Sequence, residues 1–223
     1  MNLALIGYGK MGHAIESLAL ERGHAVVCTI DNIQEWESKQ DLLRHADVAV
    51  EFTMPSIAAD NIRRCLNADI PVVCGTTGWY DAYDDVVALC QTKQGALFTA
   101  TNFSIGMNIM FALNEHLDRL MANLPEYRVG ITEIHHIHKL DAPSGTAITL
   151  RQQIHRDDVP IESIREGEVP GTHTVRYDSE IDTISLTHEA HSRKGLALGA
   201  LLAAEFLKDR KGVFTMKDML AMN

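Results

Sequence analysis

Gly7-Tyr8-Gly9-Lys10-Met11-Gly12 constrains this chain more than any other stretch. It is a complete G-x-G-x-x-G. Before it stands Asn2–Ile6, an apolar run of strand length; after it, Ile15, Leu18 and Ala19 share one face of a helical pattern. Gly23 stops that helix, and Ala25–Ile30 reads as a second buried strand. Two unbroken apolar strands around a helix predict a parallel βαβ unit. Within such a unit the first glycine permits a tight turn, the second lets backbone approach a pyrophosphate, and the third lets helix pack on strand. The helix N-terminus then presents free N–H groups and a positive dipole end to phosphate. Asp31 ends the second strand nineteen positions after Gly12, where a carboxylate accepts ribose hydroxyls and repels a 2′-phosphate. Asn32 rather than Arg follows it, so NADH is the expected cofactor. Lys10 leaves NADPH open, since a loop lysine can neutralise a 2′-phosphate.

The alternation continues with strand-like Asp47–Phe52, helical Ser56–Leu66, strand-like Pro71–Cys74, helical Asp81–Gln91 and strand-like Gly95–Thr99. This predicts a doubly wound parallel sheet. Two further loops, Cys74–Gly78 and Thr99–Ser104, follow strands of that sheet, where small and hydroxyl residues would face a nicotinamide. After Ser104 the style changes. One long helix, Met107–Met121, with apolar positions 110, 113, 117 and 120, precedes strand-like runs at Tyr127–Ile137, Thr172–Tyr177 and Thr183–Thr187. A helix over Gly195–Leu207 and a short amphipathic piece, Phe214–Met222, close the chain. The expected fold class is α/β: a Rossmann-type doubly wound parallel sheet, with a second, smaller α+β domain built on a mixed sheet. The expected domains are 1–104 plus 196–223 for dinucleotide binding, and 105–195 for substrate binding and oligomerisation.

With 223 residues, the chain has room for such a pair and little more. Its net charge of −10 argues against nucleic acid as a partner but allows a small anionic ligand in a local cationic pocket. The stretch Leu196–Leu207 is too short to span a bilayer, and the N-terminus lacks the pattern of a secretory signal. A cytoplasmic protein without membrane partners is expected, with Cys28, Cys65, Cys74 and Cys90 as reduced, buried thiols.

The segment Glu133–Ala147 supplies the cationic pocket. His135, His136, His138 and Lys139 fall within five residues, and Pro143-Ser144-Gly145-Thr146 then opens a helix running through Leu150. Ser144, Gly145 and Thr146 at a helix start can cradle a carboxylate or a phosphate, and Lys139 with protonatable histidines would complete a dianion site. On an extended strand His135 and Lys139 would sit ~13 Å apart at ~3.3 Å per residue. Irregular backbone is therefore expected from about Ile137. His136 and His138 share a strand face, but His188-Glu-Ala-His191 lacks the H-E-x-x-H spacing, so no metal is expected.

Together these motifs resemble the dihydrodipicolinate reductase (4-hydroxy-tetrahydrodipicolinate reductase) family. The resemblance runs from Gly7–Gly12 through Glu51-Phe52-Thr53, Gly75-Thr76-Thr77-Gly78 and Asn102–Asn108 to His135–Ala147, and on to Phe214–Asp218. It implies NAD(P)H-dependent reduction of a cyclic dicarboxylate in diaminopimelate and lysine biosynthesis by a homotetramer. It also implies His135 as acid/base, Lys139 as proton donor, and His136, Gly145 and Thr146 as substrate contacts. Gly75, Thr76, Thr77, Ala100, Thr101, Asn102 and Phe103 would line the cofactor beside Gly7, Tyr8, Gly9, Lys10, Met11, Gly12 and Asp31. Many members have Arg at the position of Lys10 and an acid–arginine pair at Asp31-Asn32, and are longer between Asp157 and Thr187. Another two-domain Rossmann oxidoreductase acting on a small carboxylate explains residues 1–104 equally well but gives His135–Ala147 no purpose. A nucleotide-sensing regulator would need a nucleic-acid-reading face, which a chain of this charge does not offer.

Overall fold

The computed structural model describes residues 1–192 and 194–222; Arg193 and Asn223, which fall inside the expected domain ranges, lie outside the described residues. The chain divides into two compact units, Met1–Ser104 joined by the segment from Leu196 onward, and Ile105–Gly195. Among the described residues no helix is long and apolar enough to cross a membrane.

In the first unit β1 (Asn2–Ile6), α1 (Lys10–Glu21) and β2 (Ala25–Ile30) form the opening βαβ. Two short helices follow, α2 (Ile33–Ser38) and α3 (Gln40–Leu43), then β3 (Val48–Glu51), α4 (Pro55–Asn67) and β4 (Val72–Cys74). A 3-10 turn at Tyr80–Ala82 leads into α5 (Tyr83–Thr92) and β5 (Ala96–Thr99). Strands β1, β3, β4 and β5 are inner strands with almost every residue buried, because a parallel sheet is covered on both faces. β2 is an edge strand buried only at Cys28 and Ile30, not the fully buried strand its composition suggests. All pairings are parallel, and the order is β2-β1-β3-β4-β5 followed by a sixth strand from the end of the chain. The order reverses at β1, so the crevice outside the carboxyl ends of β1 and β3 is where such a sheet takes ligand. All four cysteines are free and buried.

The second unit starts with α6 (Ile105–Met121) and β6 (Arg128–His135). After them come α7 (Gly145–Gln152), β7 (Ile161–Arg165), β8 (Thr172–Asp178) and β9 (Thr183–Glu189). The mixed sheet runs β7-β6-β8-β9, with β6 parallel to β7 and antiparallel to β8. Its buried face carries Ile131, Val175 and Tyr177, packed with Met107, Met110 and Leu150. The face of α6 differs from the expected stripe. Met107, Met110, Asn114, Asp118 and Met121 are buried, whereas Leu113 and Leu120 are 49% and 62% exposed. The polar members turn inward because they have partners: Asn114 donates to the Leu150 carbonyl at 3.0 Å, and Asp118 accepts the Tyr177 hydroxyl at 3.2 Å.

The chain closes with α8 (Lys194–Leu207), β10 (Gly212–Phe214) and α9 (Met216–Met219). β10 is the sixth strand of the first sheet, pairing in parallel with β5, where sequence periodicity gave only an amphipathic piece. Small residues let α8 pack closely. A Cβ at Gly199 would stand 1.7 Å from the Phe103 carbonyl oxygen.

Candidate functional site

In the first unit the expected cofactor residues all follow carboxyl ends of parallel strands. Gly7–Gly9 join β1 to α1 and Lys10–Gly12 form the first turn of α1, Asp31 follows β2, Gly75–Thr77 follow β4, and Ala100–Phe103 follow β5. The glycines differ in what surrounds them. A Cβ on Gly7 would lie 2.1 Å from the Phe52 carbonyl oxygen, and one on Gly12 would lie 2.5 Å from that of Gly7. Gly9 has nothing within 4 Å of that position and faces open space. The α1 N-terminus beside it has no side-chain cap and no acidic residue in its first turn. Its leading N–H groups and dipole end are thus left for an outside acceptor. Gly9, Lys10, Met11, Thr53, Gly75, Thr76 and Thr77 line one cleft there. A neighbouring cleft is lined by Ile30, Asp31, Asn32, Trp36, Asn61 and Arg64, an apolar floor with polar rims suited to a purine and its ribose. Together they fit a nicotinamide dinucleotide.

The Asp31 carboxylate accepts the Tyr8 N–H at 2.9 Å, and the Asp31 N–H donates to Glu35 at 2.8 Å. Three expected residues are committed to structure. Ring contacts with Phe52 and Phe98 at 5.7 and 5.9 Å leave Phe103 only 2% exposed, so its side chain belongs to the core. Thr76 is buried, with its hydroxyl accepting the Thr53 N–H at 2.8 Å. Asn102 accepts the Ser104 N–H at 2.8 Å, an Asx turn before α6. Ala100 and Thr101 lie in the same loop, the first half-buried and the second exposed. Arg64, held over the Trp36 ring at 5.5 Å, is a cleft cation that sequence spacing did not reveal.

In the second unit β6 ends at His135, and the chain turns at once, with the Lys139 N–H donating to the His136 carbonyl at 3.1 Å. This break lets Lys139 approach His135. The Lys139 ammonium is held by Asp141 at 2.7 and 2.9 Å. Beneath them lies a group absent from the sequence expectations. Glu133, fully buried two residues before His135 on the same face of β6, accepts the Ser144 N–H at 3.0 and 3.1 Å and Arg165 Nη2 at 3.1 Å. Burial opposes its ionisation, but the Ser144 and Arg165 donors outweigh it and hold the carboxyl at about 2. Its Oε2 faces His135 Nδ1 at 3.4 Å and His173 Nε2 at 3.8 Å.

Burial pushes both of these histidines towards the neutral form. For His135 the Lys139 and Arg165 charges add to that effect while Glu133 opposes it; His173 falls to about 4. The two rings meet edge to face, centroids 4.9 Å apart.

Ser144, expected as part of the cradle, is bound within the chain. It is 2% exposed; its N–H serves Glu133, and its hydroxyl accepts the Ala147 N–H at 3.2 Å and meets His173 Nε2 at 3.3 Å. It caps α7 from inside, leaving exposed Gly145 and half-buried Thr146 at the helix start. His136 is half-buried, its ring 6.1 Å from that of His138, and His138 pairs with Glu168 at the surface. Among the described residues, the three-membered imidazole–carboxylate cluster in this unit is instead Glu133, His135 and His173. Arg165 against the same carboxylate makes it a poor cation site.

The sequence signal for Glu133 is its place in β6: it alternates with Ile131 and His135 on the face that the apolar residues mark as buried.

Comparison with known proteins finds likeness along nearly the whole chain. The family model described as "Dihydrodipicolinate reductase, N-terminus" matches residues 1–103, and that described as "Dihydrodipicolinate reductase, C-terminus" matches residues 106–220. A 4-hydroxy-tetrahydrodipicolinate reductase of Christiangramia forsetii is 48% identical, over 99% of this chain and 98% of that protein. One from Thermosipho africanus is 35% identical over the same shares. Among solved structures, a dipicolinate-bound dihydrodipicolinate reductase from Paenisporosarcina sp. TG-14 aligns with a TM-score of 0.83. It covers 98% of each chain at 21% identity, a likeness of fold.

Proposed function

Because the chain belongs to the dihydrodipicolinate reductase family and so reduces 4-hydroxy-tetrahydrodipicolinate with NAD(P)H in diaminopimelate and lysine biosynthesis, we propose that His135 and Lys139 manage the proton of that reaction. The overall change takes in one hydride and one proton and releases one water. A bound nicotinamide cofactor supplies the hydride. The remaining work falls to side chains of this chain. Lys139 and the N–H groups of Gly145 and Thr146 take the substrate carboxylates, with His136 beside them. The Lys139 ammonium stabilises charge that develops as hydride adds, and either it or His135 delivers the proton. A bound dianion would raise the proton affinity of His135, which burial otherwise holds neutral.

The observation that carries this reading is the turn after β6, which sets Lys139 and His135 at one strand end beside the start of α7. It is tested by Lys139→Ala. Turnover should fall by about 10²–10⁴ while NADH affinity stays within about twofold. Undiminished turnover would sink the assignment.

On the cofactor side, Gly9 and the uncapped α1 start hold phosphate, and Gly75, Thr77, Ala100 and Thr101 line the nicotinamide end. Asp31 favours NADH through the ribose hydroxyls. Arg64 in the same cleft favours the second reading, NADPH, since a guanidinium can pair a 2′-phosphate. A homotetramer belongs to the same reading; Thr132, Thr174 and Thr187, in register across three strands of the second sheet, form a row that a second copy would meet. Four free thiols suit the cytoplasm. Light scattering at assay concentration tests the oligomer; a monomer there would refute it.

A further inference from the structure

We propose that Glu133 is the positioning residue for His135: its carboxylate accepts a hydrogen bond from Nδ1–H, which fixes the tautomer that leaves the Nε2 lone pair for proton exchange with substrate. This rests on His135 being the acid–base group.

Three observations lead there. First, Glu133 is an acceptor only. The Ser144 N–H and Arg165 guanidinium bind it so firmly that it stays ionised, and an ionised carboxylate has no hydrogen to give. The group that faces its Oε2 gains only by presenting an N–H. Second, His135 Nδ1 is buried and has no hydrogen-bond partner within ordinary geometry, while Glu133 Oε2 stands 3.4 Å away. A buried ring N–H left unpaired costs about 1–3 kcal/mol, so the ring is drawn to turn Nδ1–H on the carboxylate. Third, the residue packed against Nε2 has no side chain to crowd it. Gly171, at φ +150°, packs there, and a Cβ at that position would stand 3.1 Å from Nε2.

The other charged and titratable groups around the ring do not offer the same service. His173 on β8 is itself driven neutral, and its Nε2 is engaged with Ser144. Arg165 on β7 is committed to Glu133 and the Asp141 carbonyl. Lys139 and Asp141 in the following turn pair with each other. Among the described residues, Glu133 is the carboxylate placed to accept the Nδ1–H of His135, at 3.4 Å. A purely structural Glu133 would need only its Ser144 and Arg165 bonds.

The test is ring nitrogen NMR on the full, ligand-free chain with labelled histidine, the His135 signals being assigned with His135→Gln. At about pH 7 the proton should sit on Nδ1 with Nε2 unprotonated. Glu133→Gln, whose amide can donate to Nδ1 instead, should move the proton to Nε2. It should also lower kcat at least about 50-fold with KM for NADH within about twofold, and Glu133→Asp should restore part of kcat. An Nε2–H tautomer in the unmodified chain overturns the proposal, as does a Glu133→Gln protein with unchanged tautomer and kcat. If Glu133→Gln does not fold, the spectrum of the unmodified chain decides. Full turnover by His135→Gln would instead remove the acid–base reading of His135, leaving the tautomer to be judged separately.

Discussion

The backbone N–H of Tyr8 donates to the Asp31 carboxylate at 2.9 Å, tying the glycine loop to the end of β2. One oxygen therefore tethers the loop while the other is available to a ribose. Asp31→Ala removes both, and KM for NADH should rise about tenfold. Asp31→Asn keeps an oxygen for Tyr8 but loses the charge, so it should chiefly erode discrimination against NADPH. Steady-state kinetics with both cofactors check this; an unchanged cofactor ratio in either variant refutes the ribose role.

The glycines of one motif should fail in different ways. Gly12→Ala forces a Cβ to within 2.5 Å of backbone, so it should unfold or severely destabilise the first unit. Gly9→Ala meets nothing within 4 Å and keeps an allowed φ of −86°, so the melting temperature should barely move. Its methyl would instead stand where phosphate approaches, and cofactor affinity should drop by about tenfold or more. Thermal melts and cofactor titrations of both variants separate the two roles.

How far the site could be read from sequence follows from what periodicity can carry. Strands β1, β3, β4 and β5 announce themselves because both their faces are buried. β7 (Ile-Glu-Ser-Ile-Arg) does not, since it is an edge strand of mixed polarity whose Arg165 is drawn in by Glu133. The inward face of α6 was hidden for a related reason: Asn114 and Asp118 are buried by specific partners distant in sequence, which no count of apolar positions detects. Lys139, His135 and the start of α7 fall within one short segment and were legible. Glu133, Arg165 and His173 meet only through strand pairing, so their common purpose appears only in three dimensions.

Asp118 should carry stability that depends on pH. Burial pushes its carboxyl up, but the His155 side chain and N–H at 2.9 and 3.1 Å and the Tyr177 hydroxyl outweigh this and hold it below its usual value. A lowered folded pKa stabilises above the unfolded value of ~3.9 and is lost as pH falls through the folded one. Asp118→Asn should thus cost about 1–3 kcal/mol at neutral pH, and the difference from wild type should shrink below about pH 4. Urea denaturation at both pH values measures it; a deficit independent of pH would refute the ionic origin.

The four thiols should be silent in the native protein. Burial pushes Cys65 and Cys74 far above ordinary thiol values, with the Glu51 carboxylate adding to the effect. Ellman's reagent should find no thiol reacting within minutes at about pH 8, and all four after denaturation. A rapidly modified native thiol would contradict the core packing of the first unit.

Because β10 completes the first sheet from beyond the second unit, the two units reach completeness in the opposite order to their synthesis. The ribosome finishes β5 with its outer edge unpaired, and α8 and β10 emerge only after the whole of Ile105–Gly195. The inserted unit is continuous in sequence and has all its strands first, while the nucleotide-binding sheet waits with an open parallel edge. Nascent chains released before residue 212 should therefore present that edge to chaperones, and a chain stalled just after Gly195 should already contain every strand of the mixed sheet.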